Sequence, residues 1–267
     1  MVRDELLYHY TSIDGLNGII SSRSVWASDC RYLNDQKELV HAIELFLSRF
    51  EGDTKETLSF ALKLYNFSRA HCVFSLSHSP HVLSQWRAYG DSGCGAAIGF
   101  VRNRLLGIGE SSTHILVDCI YHDHESFLDG VVEERSEEIE ALLKMYSNSR
   151  GALDLFVSLI NENPKPLMCL FSELLKVKNP AFKEEQEVRL VISVPIRQVQ
   201  TRVANKLIIP FVEHSFVDNG NEENLWCVAP EIWFGPRCDK RNMQALLVFG
   251  QFGWSVDGIH HYDCGYI

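Results

Sequence analysis

The segment Phe182-Lys-Glu-Glu-Gln-Glu-Val-Arg-Leu-Val-Ile192 is the most informative part of the sequence, because charged and apolar residues alternate from Glu187 to Leu190. As a β-strand it places Glu185, Glu187 and Arg189 on one face and its aliphatic side chains on the other. An antiparallel sheet with one face in water explains this pattern, since exposed glutamate and arginine are ordinary. The alternative is that the three charges belong to a functional site.

Two further segments favour a site. Leu7-Tyr-His-Tyr-Thr-Ser12 lies near the start of the chain, and Ser84-Gln-Trp-Arg-Ala-Tyr89 lies about a third of the way along. Each is a polar and aromatic cluster attached to an apolar strand or helix, and rigid elements of this kind hold functional side chains in place. The sequence therefore offers three short segments whose side chains can meet.

Hydrophobic periodicity predicts an α+β fold. Strands are predicted at 6–10, 26–28, 71–77, 94–101, 115–121, 187–194, 206–212, 225–228, 231–234 and 254–261. Helices are predicted at 14–20, 35–50, 54–69 and 240–249, with another opened by Pro80 and an acidic helical run from 125 onwards. We expect a single domain over 1–267 whose sheet core is interrupted by a helical insertion at about 125–178.

Composition limits the functional classes. The 267 residues carry a formal net charge of −10, which argues against charge-driven binding of bulk nucleic acid but leaves room for a local basic groove. No apolar run reaches the ~18 residues of a membrane helix, and Met1–Glu5 lacks the basic start of a signal peptide. A cytoplasmic protein without a membrane partner is expected. The eight cysteines form no C-x-x-C pair, which predicts reduced thiols.

Each candidate residue also has an ordinary structural interpretation. His9 lies in an apolar strand, where a histidine is more often a core residue than a catalyst. Trp86 and Tyr89 are three residues apart on a predicted helix, which is the usual geometry of packed core aromatics. Ser75 and Ser77 share one strand face, where either a polar surface or a ligand can use them.

Known catalytic signatures are largely missing from the sequence. His78 with His81, and His122 with His124, bring imidazoles close together, but a third metal ligand is not evident, so no metal is expected. The chain contains no G-x-S-x-G elbow, no G-x-x-x-x-G-K phosphate loop and no G-x-G-x-x-G fingerprint. Serine hydrolases of that type and the common nucleotide-binding loops are not predicted.

A family resemblance spans nearly the whole chain. Its motifs are Tyr8-His-Tyr-Thr-Ser12, Leu33-Asn-Asp-Gln-Lys-Glu38, Phe74-Ser-Leu-Ser77, Trp86-Arg-Ala-Tyr89, Gly93-Cys-Gly-Ala-Ala-Ile-Gly-Phe100, Glu185-Gln-Glu-Val-Arg189 and Gly235-Pro236. In this order and spacing they resemble a large bacterial family known as domain of unknown function 2971. The name carries no activity.

A more distant resemblance carries chemistry. A histidine on the first strand, a serine-bearing strand, an aromatic residue on the following helix and an E-x-E motif on a late strand look like the ADP-ribosyltransferase superfamily. The resemblance implies a split, mostly antiparallel sheet core that grips NAD in a cleft. NAD would be the substrate, and the acceptor of ADP-ribose, a protein or a nucleic acid, is left open, as is the oligomeric state.

The same resemblance implies roles for individual residues. His9 would hold the ribose next to nicotinamide, and Tyr89 or Trp86 would stack on the nicotinamide ring. Glu187 would hydrogen-bond the ribose hydroxyl and stabilise the positive charge that develops on the ribose, while Glu185 would orient or deprotonate the nucleophile. The remaining candidate contacts to NAD are Tyr10, Thr11, Ser75, Ser77 and Arg189.

Two functions of different classes follow from these residues. The first is an NAD-dependent ADP-ribosyltransferase, or an NAD hydrolase, in the toxin or phage-defence setting that the family resemblance suggests. The second is a non-catalytic module that binds a nucleotide or a protein partner. In the second case the charges of the E-x-E-x-R segment form a structural ladder of ion pairs.

Overall fold

The computed structural model describes residues 5–33, 37–106, 114–204, 206–216, 229–252 and 258–265. The β-strands are β1 (Leu6–Thr11), β2 (Ser24–Asp29), β3 (Arg69–Ser77), β4 (Ala96–Val101), β5 (His114–Asp118), β6 (Glu187–Pro195), β7 (Gln200–Ala204), β8 (Leu207–Ser215), β9 (Glu231–Phe234) and β10 (Gly258–His261). The α-helices are α1 (Ile13–Ser22), α2 (Lys37–Leu47), α3 (Gly52–Ser68), α4 (Leu83–Ala88), α5 (His124–Glu134), α6 (Ser136–Asn148), α7 (Ala152–Val157), α8 (Lys165–Leu174) and α9 (Arg241–Ala245).

The sheet branches at β3. Along the main path the strand order is β10-β9-β4-β1-β3-β2-β8-β7, and β6 pairs with both β3 and β5. All of these pairs are antiparallel except β9 with β10. The predicted α+β class and the mostly antiparallel sheet are confirmed.

The branch point lies on one edge of β3. On that edge β2 pairs with β3 at Cys72 and Val73, whereas β1 pairs with it only at Ser77. Within the described chain, residues 74–76 have no strand partner on this side, because β1 and β2 diverge to join β4 and β8. The other edge of β3 pairs with β6 along its whole length.

Strand β6 starts at the residue predicted for it, but the charged side chains differ from expectation in two ways. It begins at Glu187, so Glu185 lies in the preceding 3-10 helix, Pro180–Glu185, and not on the strand. The water-exposed face expected for the charges is also absent, since Glu187 and Arg189 are each only 6% exposed. The prediction was wrong because helices cover this face of the sheet, which alternation within one strand cannot reveal.

Two hydrophobic cores flank the sheet. The first core lies on one side of the sheet and combines α1 with inward residues of β1, β3, β4, β6 and β9. The other core is helical and joins α2 and α3 to the helices α5–α8, which occupy the predicted insertion, with a π-helical turn at Ser158–Glu162. Strand β7 was not predicted, and the strand predicted at 225–228 lies outside the described residues.

Close backbone contacts explain two of the glycines. A side chain on Gly95 would meet the backbone oxygen of Thr11 at 2.1 Å, and one on Gly235 would meet that of Gly93 at 2.3 Å. The nearby turn is fixed by a backbone hydrogen bond from Gly235 to Gly95 of 3.0 Å. These glycines let β9 pair closely with β4 beside β1.

Other sequence signals have clear structural counterparts. Ser12 caps α1 by accepting a 3.1 Å hydrogen bond from the Gly15 amide. The cysteines in the described part of the chain are free thiols. In the same residues, no helix has the length and apolar character needed to cross a membrane.

Candidate functional site

A cleft of about 280 Å³ opens where the sheet branches. Its walls come from β1, β3, β6 and the β7–β8 hairpin, together with α2, α4 and the segment that follows α8. The predicted site residues that line it are His9, Tyr10, Ser75, Tyr89, Glu185, Glu187 and Arg189. Residues from all three clusters noted in the sequence therefore meet at one place.

Glu187 is the most deeply buried carboxylate of the cleft. Its Oε2 accepts hydrogen bonds from Lys178 Nζ at 2.7 Å and from Arg189 Nη2 at 3.0 Å, and it lies 3.6 Å from Cys119 Sγ. Its backbone amide donates to the Tyr121 hydroxyl at 2.7 Å. Burial alone would raise the pKa of Glu187, but Arg189 and Lys178 outweigh burial and lower that pKa to about 2.

The pairing extends into a network of five charged side chains. Lys178 also contacts Glu185 at 2.7 Å, and Arg189 also contacts Glu38 at 2.9 Å. The five residues, which we call the cleft network, are Glu38, Lys178, Glu185, Glu187 and Arg189. Three carboxylates therefore face two cations, and charge-assisted hydrogen bonds fix their positions.

Glu185 reaches the network from a turn. Gln186 adopts a left-handed conformation with φ of 47°, which redirects the chain between the 3-10 helix and β6. Ser77 Oγ donates a 2.7 Å hydrogen bond to the Glu185 backbone oxygen. Ser77 does not line the cleft, so its contribution is to hold the backbone that carries Glu185.

His9 is a neutral imidazole at the branch point. Its ring packs on Phe74 at 4.2 Å between centroids, and burial lowers its pKa to about 4. Nδ1 lies 2.9 Å from the Ser75 backbone oxygen. A carbonyl only accepts, so Nδ1 carries the proton and Nε2 is left as an acceptor. The ring can therefore accept a hydrogen bond from a ligand hydroxyl.

The aromatic candidates divide into surface and core. Tyr89 is 41% exposed and lines the cleft. Trp86 is fully buried, donates from Nε1 to the Pro80 oxygen at 3.0 Å, and does not line the cleft. The structure therefore places Trp86 in the core, where its indole packs edge-on against Tyr10.

Tyr10 and Thr11 also differ from their predicted roles. The Tyr10 hydroxyl donates to Ser79 and accepts from Val82, so its polar atom holds the loop before α4. Its ring lines the cleft, whereas Thr11 does not. The Thr11 backbone oxygen lies against Gly95 instead.

Sequence reasoning missed three cleft residues. Lys178 follows α8 and is brought beside β5 by the parallel bridge between Ile120 and Val177. Glu38 belonged to a motif but had no assigned role, and Arg202 lies on the unpredicted strand β7. Three lysines, Lys176, Lys178 and Lys183, lie between α8 and the E-x-E segment, and spacing alone could not show which of them pairs with the glutamates.

The cleft arrangement supports charge stabilisation better than strong base catalysis at Glu187. A carboxylate with a pKa of about 2 stays ionised near neutrality and attracts a cation, but it is a weak proton acceptor. The neutral His9 ring provides an acceptor, and Tyr89 provides an exposed aromatic face. These groups suit a polar ligand that carries hydroxyls, a planar ring and positive charge.

One protein-family model matches part of the chain. Residues 85–190 match the model of a family described as "Protein of unknown function (DUF2971)". This segment runs from α4 to the centre of β6 and includes Tyr89, Lys178, Glu185, Glu187 and Arg189. No curated protein and no solved structure matches the chain. The first resemblance is thus supported over this segment.

Proposed function

We propose that the protein cleaves NAD at the bond between nicotinamide and ribose and transfers ADP-ribose to a macromolecule or to water. The observation that carries the proposal is the convergence of His9, Ser75, Tyr89 and Glu187 on one cleft at the branch of the sheet. These residues come from separate segments of the chain. The His9 ring, the Tyr89 ring and the Glu187 carboxylate are groups that this chemistry needs, and the Ser75 backbone oxygen bonds His9.

The reaction needs no metal or redox partner. The C1′–N bond breaks and its electron pair leaves with nicotinamide, whose ring nitrogen becomes neutral. Positive charge develops on the ribose, and a nucleophilic oxygen forms the new bond at C1′ while it loses its proton. Glu187 stabilises the positive charge because it is a preorganised, ionised carboxylate in a largely desolvated place.

The other cleft residues supply binding and orientation. His9 Nε2 accepts from a ribose hydroxyl, and the exposed ring of Tyr89 stacks on the nicotinamide ring. Glu185 orients the nucleophile and takes up its proton, and Lys178 fixes its carboxylate next to that of Glu187. The cleft volume is near the lower end of ordinary ligand pockets, about 300–1,000 Å³, so the adenosine end extends over the surface.

The decisive experiment is nicotinamide release from NAD by the purified protein, alone and in cell lysate. Glu187→Gln should lower turnover at least about a hundredfold, as expected for loss of a preorganised charge. Glu184→Gln is the matched control, because Glu184 is an exposed neighbour outside the cleft. Thermal unfolding of each variant shows whether a loss of turnover is due to lost chemistry or to lost folding. Tyr89→Ala provides a second test, because loss of this exposed ring should raise the KM for NAD.

One observation favours a second function, a non-catalytic nucleotide-binding or protein-interaction module. Glu187 is already bonded to Lys178 and Arg189, as a purely structural ion pair would be. In that case the protein releases no nicotinamide, and Glu187→Gln alters mainly stability or binding. Absence of NAD binding in calorimetry would favour the protein-interaction module over the nucleotide-binding one. Equal turnover by wild type and Glu187→Gln would instead refute the catalytic role of Glu187.

A further inference from the structure

We infer that Arg202, supported by Ser28 and Trp26, forms a phosphate-binding subsite in the same cleft, and that the ligand of this subsite is the pyrophosphate of a nucleotide. The inference rests on the proposed function, because it assigns one part of the proposed substrate. Arg202 lies on β7 and Ser28 on β2, and both line the cleft.

Arg202 differs from the other cations of the cleft. Lys178 and Arg189 each contact two carboxylates within 3.0 Å. Arg202 has no carboxylate partner in the described part of the chain, and its Nη2 donates to Ser28 Oγ at 2.9 Å. Its Nε, like that of Arg189, is buried and has no hydrogen-bond partner among the described residues. A buried N–H of this kind favours an added acceptor.

The surroundings hold the guanidinium in place. The central guanidinium carbon of Arg202 lies 5.5 Å from the centre of the Trp26 ring, which is a cation–π distance. Ser28 Oγ accepts from Arg202 and keeps its own O–H as a second donor. Planar in-plane donors match the paired oxygens of a phosphate.

The two sides of the cleft have opposite charge. Three carboxylates and two cations give the cleft network an excess of negative charge, whereas Arg202 supplies positive charge from the β7 side. NAD in its oxidised form has matching ends, because the pyridinium ring is cationic and the pyrophosphate is anionic. The cleft thus orients the dinucleotide with its pyridinium towards Glu187 and its pyrophosphate on Arg202.

The test measures binding of ADP-ribose, inorganic pyrophosphate and adenosine by calorimetry. Wild type should bind ADP-ribose and, more weakly, pyrophosphate, and Arg202→Gln should weaken both at least about tenfold. Arg197→Gln, which removes an exposed arginine outside the cleft, should bind as wild type does. Arg202→Lys keeps the charge without the planar fork, so its affinity for ADP-ribose should lie between those of wild type and Arg202→Gln. Adenosine carries no phosphate, so Arg202→Gln should not change its binding.

Unchanged binding of ADP-ribose by Arg202→Gln would overturn the subsite, and so would failure of wild type to bind either phosphate-bearing probe. If Arg202→Gln does not fold, Arg202→Lys and Ser28→Ala replace it, and unaltered ADP-ribose binding by both overturns the inference. Nicotinamide release is scored separately. If ADP-ribose binding depends on Arg202 but NAD is not cleaved, the subsite stands and the proposed enzymatic activity is refuted. If Arg202→Gln cleaves NAD with the KM of wild type, only the subsite is refuted.

Discussion

The protein contains two ionic clusters on opposite faces of the β5–β6 pair, and they differ in burial. The cleft network includes Glu187 and Arg189, which flank Val188 on β6. Asp118, directly opposite Val188 on β5, belongs to the other face. There it forms the second cluster, the surface cluster, whose members are Glu5, His78, Arg102 and Asp118.

The two clusters use similar residues in different surroundings. In the surface cluster, His78 Nε2 lies 2.9 Å from Asp118 and Arg102 bonds the same carboxylate, yet the Asp118 side chain is 51% exposed. In the cleft network, Glu187 and Arg189 have side chains that are each 7% exposed. Exposed pairs add little stability, whereas a buried charge whose partner is removed is costly. Burial therefore decides which cluster the fold depends on.

The largest expected effect is from Arg189→Leu. The variant removes the positive charge that pairs with the buried carboxylates of Glu187 and Glu38. The free energy of unfolding should therefore fall by about 3–5 kcal/mol. Urea unfolding at neutral pH measures the change. A loss below about 1 kcal/mol would mean that water reaches the network and that the two clusters are equivalent.

Acid should destabilise the cleft network through Glu187. Its pKa is lowered from 4.5 to about 2 in the folded protein, so the folded state binds fewer protons than the unfolded state between these values. The stabilisation is therefore complete above pH 4.5 and is lost as the pH falls towards 2, by about 3 kcal/mol in total.

Glu187→Gln lacks this carboxyl group and should show a shallower fall in stability over the same pH range. Asp118→Asn is the control from the surface cluster. The Arg102 hydrogen bond lowers the pKa of Asp118 as well, but solvent weakens its contribution to stability. If both variants changed the dependence of stability on pH equally, burial would not distinguish the cleft network from the surface cluster.

A smaller effect is expected from Arg102→Leu. Its partners Glu5 and Asp118 are half exposed and remain hydrated after the change, so the free energy of unfolding should fall by about 0.2–1 kcal/mol. The measurement is the same urea titration used for Arg189→Leu. A loss of several kcal/mol would show that the surface cluster is structurally essential.

The smallest expected effect is the response to salt. At about 1 M ionic strength, screening acts over about 3 Å, so the loss caused by Arg102→Leu should shrink by a few tenths of a kcal/mol. The loss caused by Arg189→Leu should stay constant, because buried pairs are screened much less. Paired titrations at low and high salt compare the two directly.

Much of the architecture could be predicted from the sequence, since it depends on local patterns. Alternation predicted β1, β3, β6 and β9, and helical spacing predicted α2 and α3. The polar motifs indicated His9, Tyr89 and Glu187, which do line one cleft. The bounds of the 231–234 strand were correct to the residue.

The remaining errors come from long-range packing. The alternation on β6 allowed either a wet strand face or a functional site. α2 and the segment after α8 cover this face, and no local pattern encodes that approach. Glu185 was placed on the strand face because it lies two residues before Glu187. The left-handed backbone of Gln186 redirects the chain between these two glutamates. Lys178 was missed because its partners Glu185 and Glu187 come together only through a turn.

The branch at β3 makes the cleft a late product of folding. Ser77 pairs with Glu187, so the strands β3 and β6 that carry these walls are separated in the chain by the whole helical insertion. Pairings of such high sequence separation raise contact order and slow folding. A chain emerging from the ribosome has His9 and Tyr89 long before Glu187 exists, and so cannot assemble the cleft until β6 is added. Any function that needs His9, Tyr89 and Glu187 together therefore begins only after β6 has paired with β3.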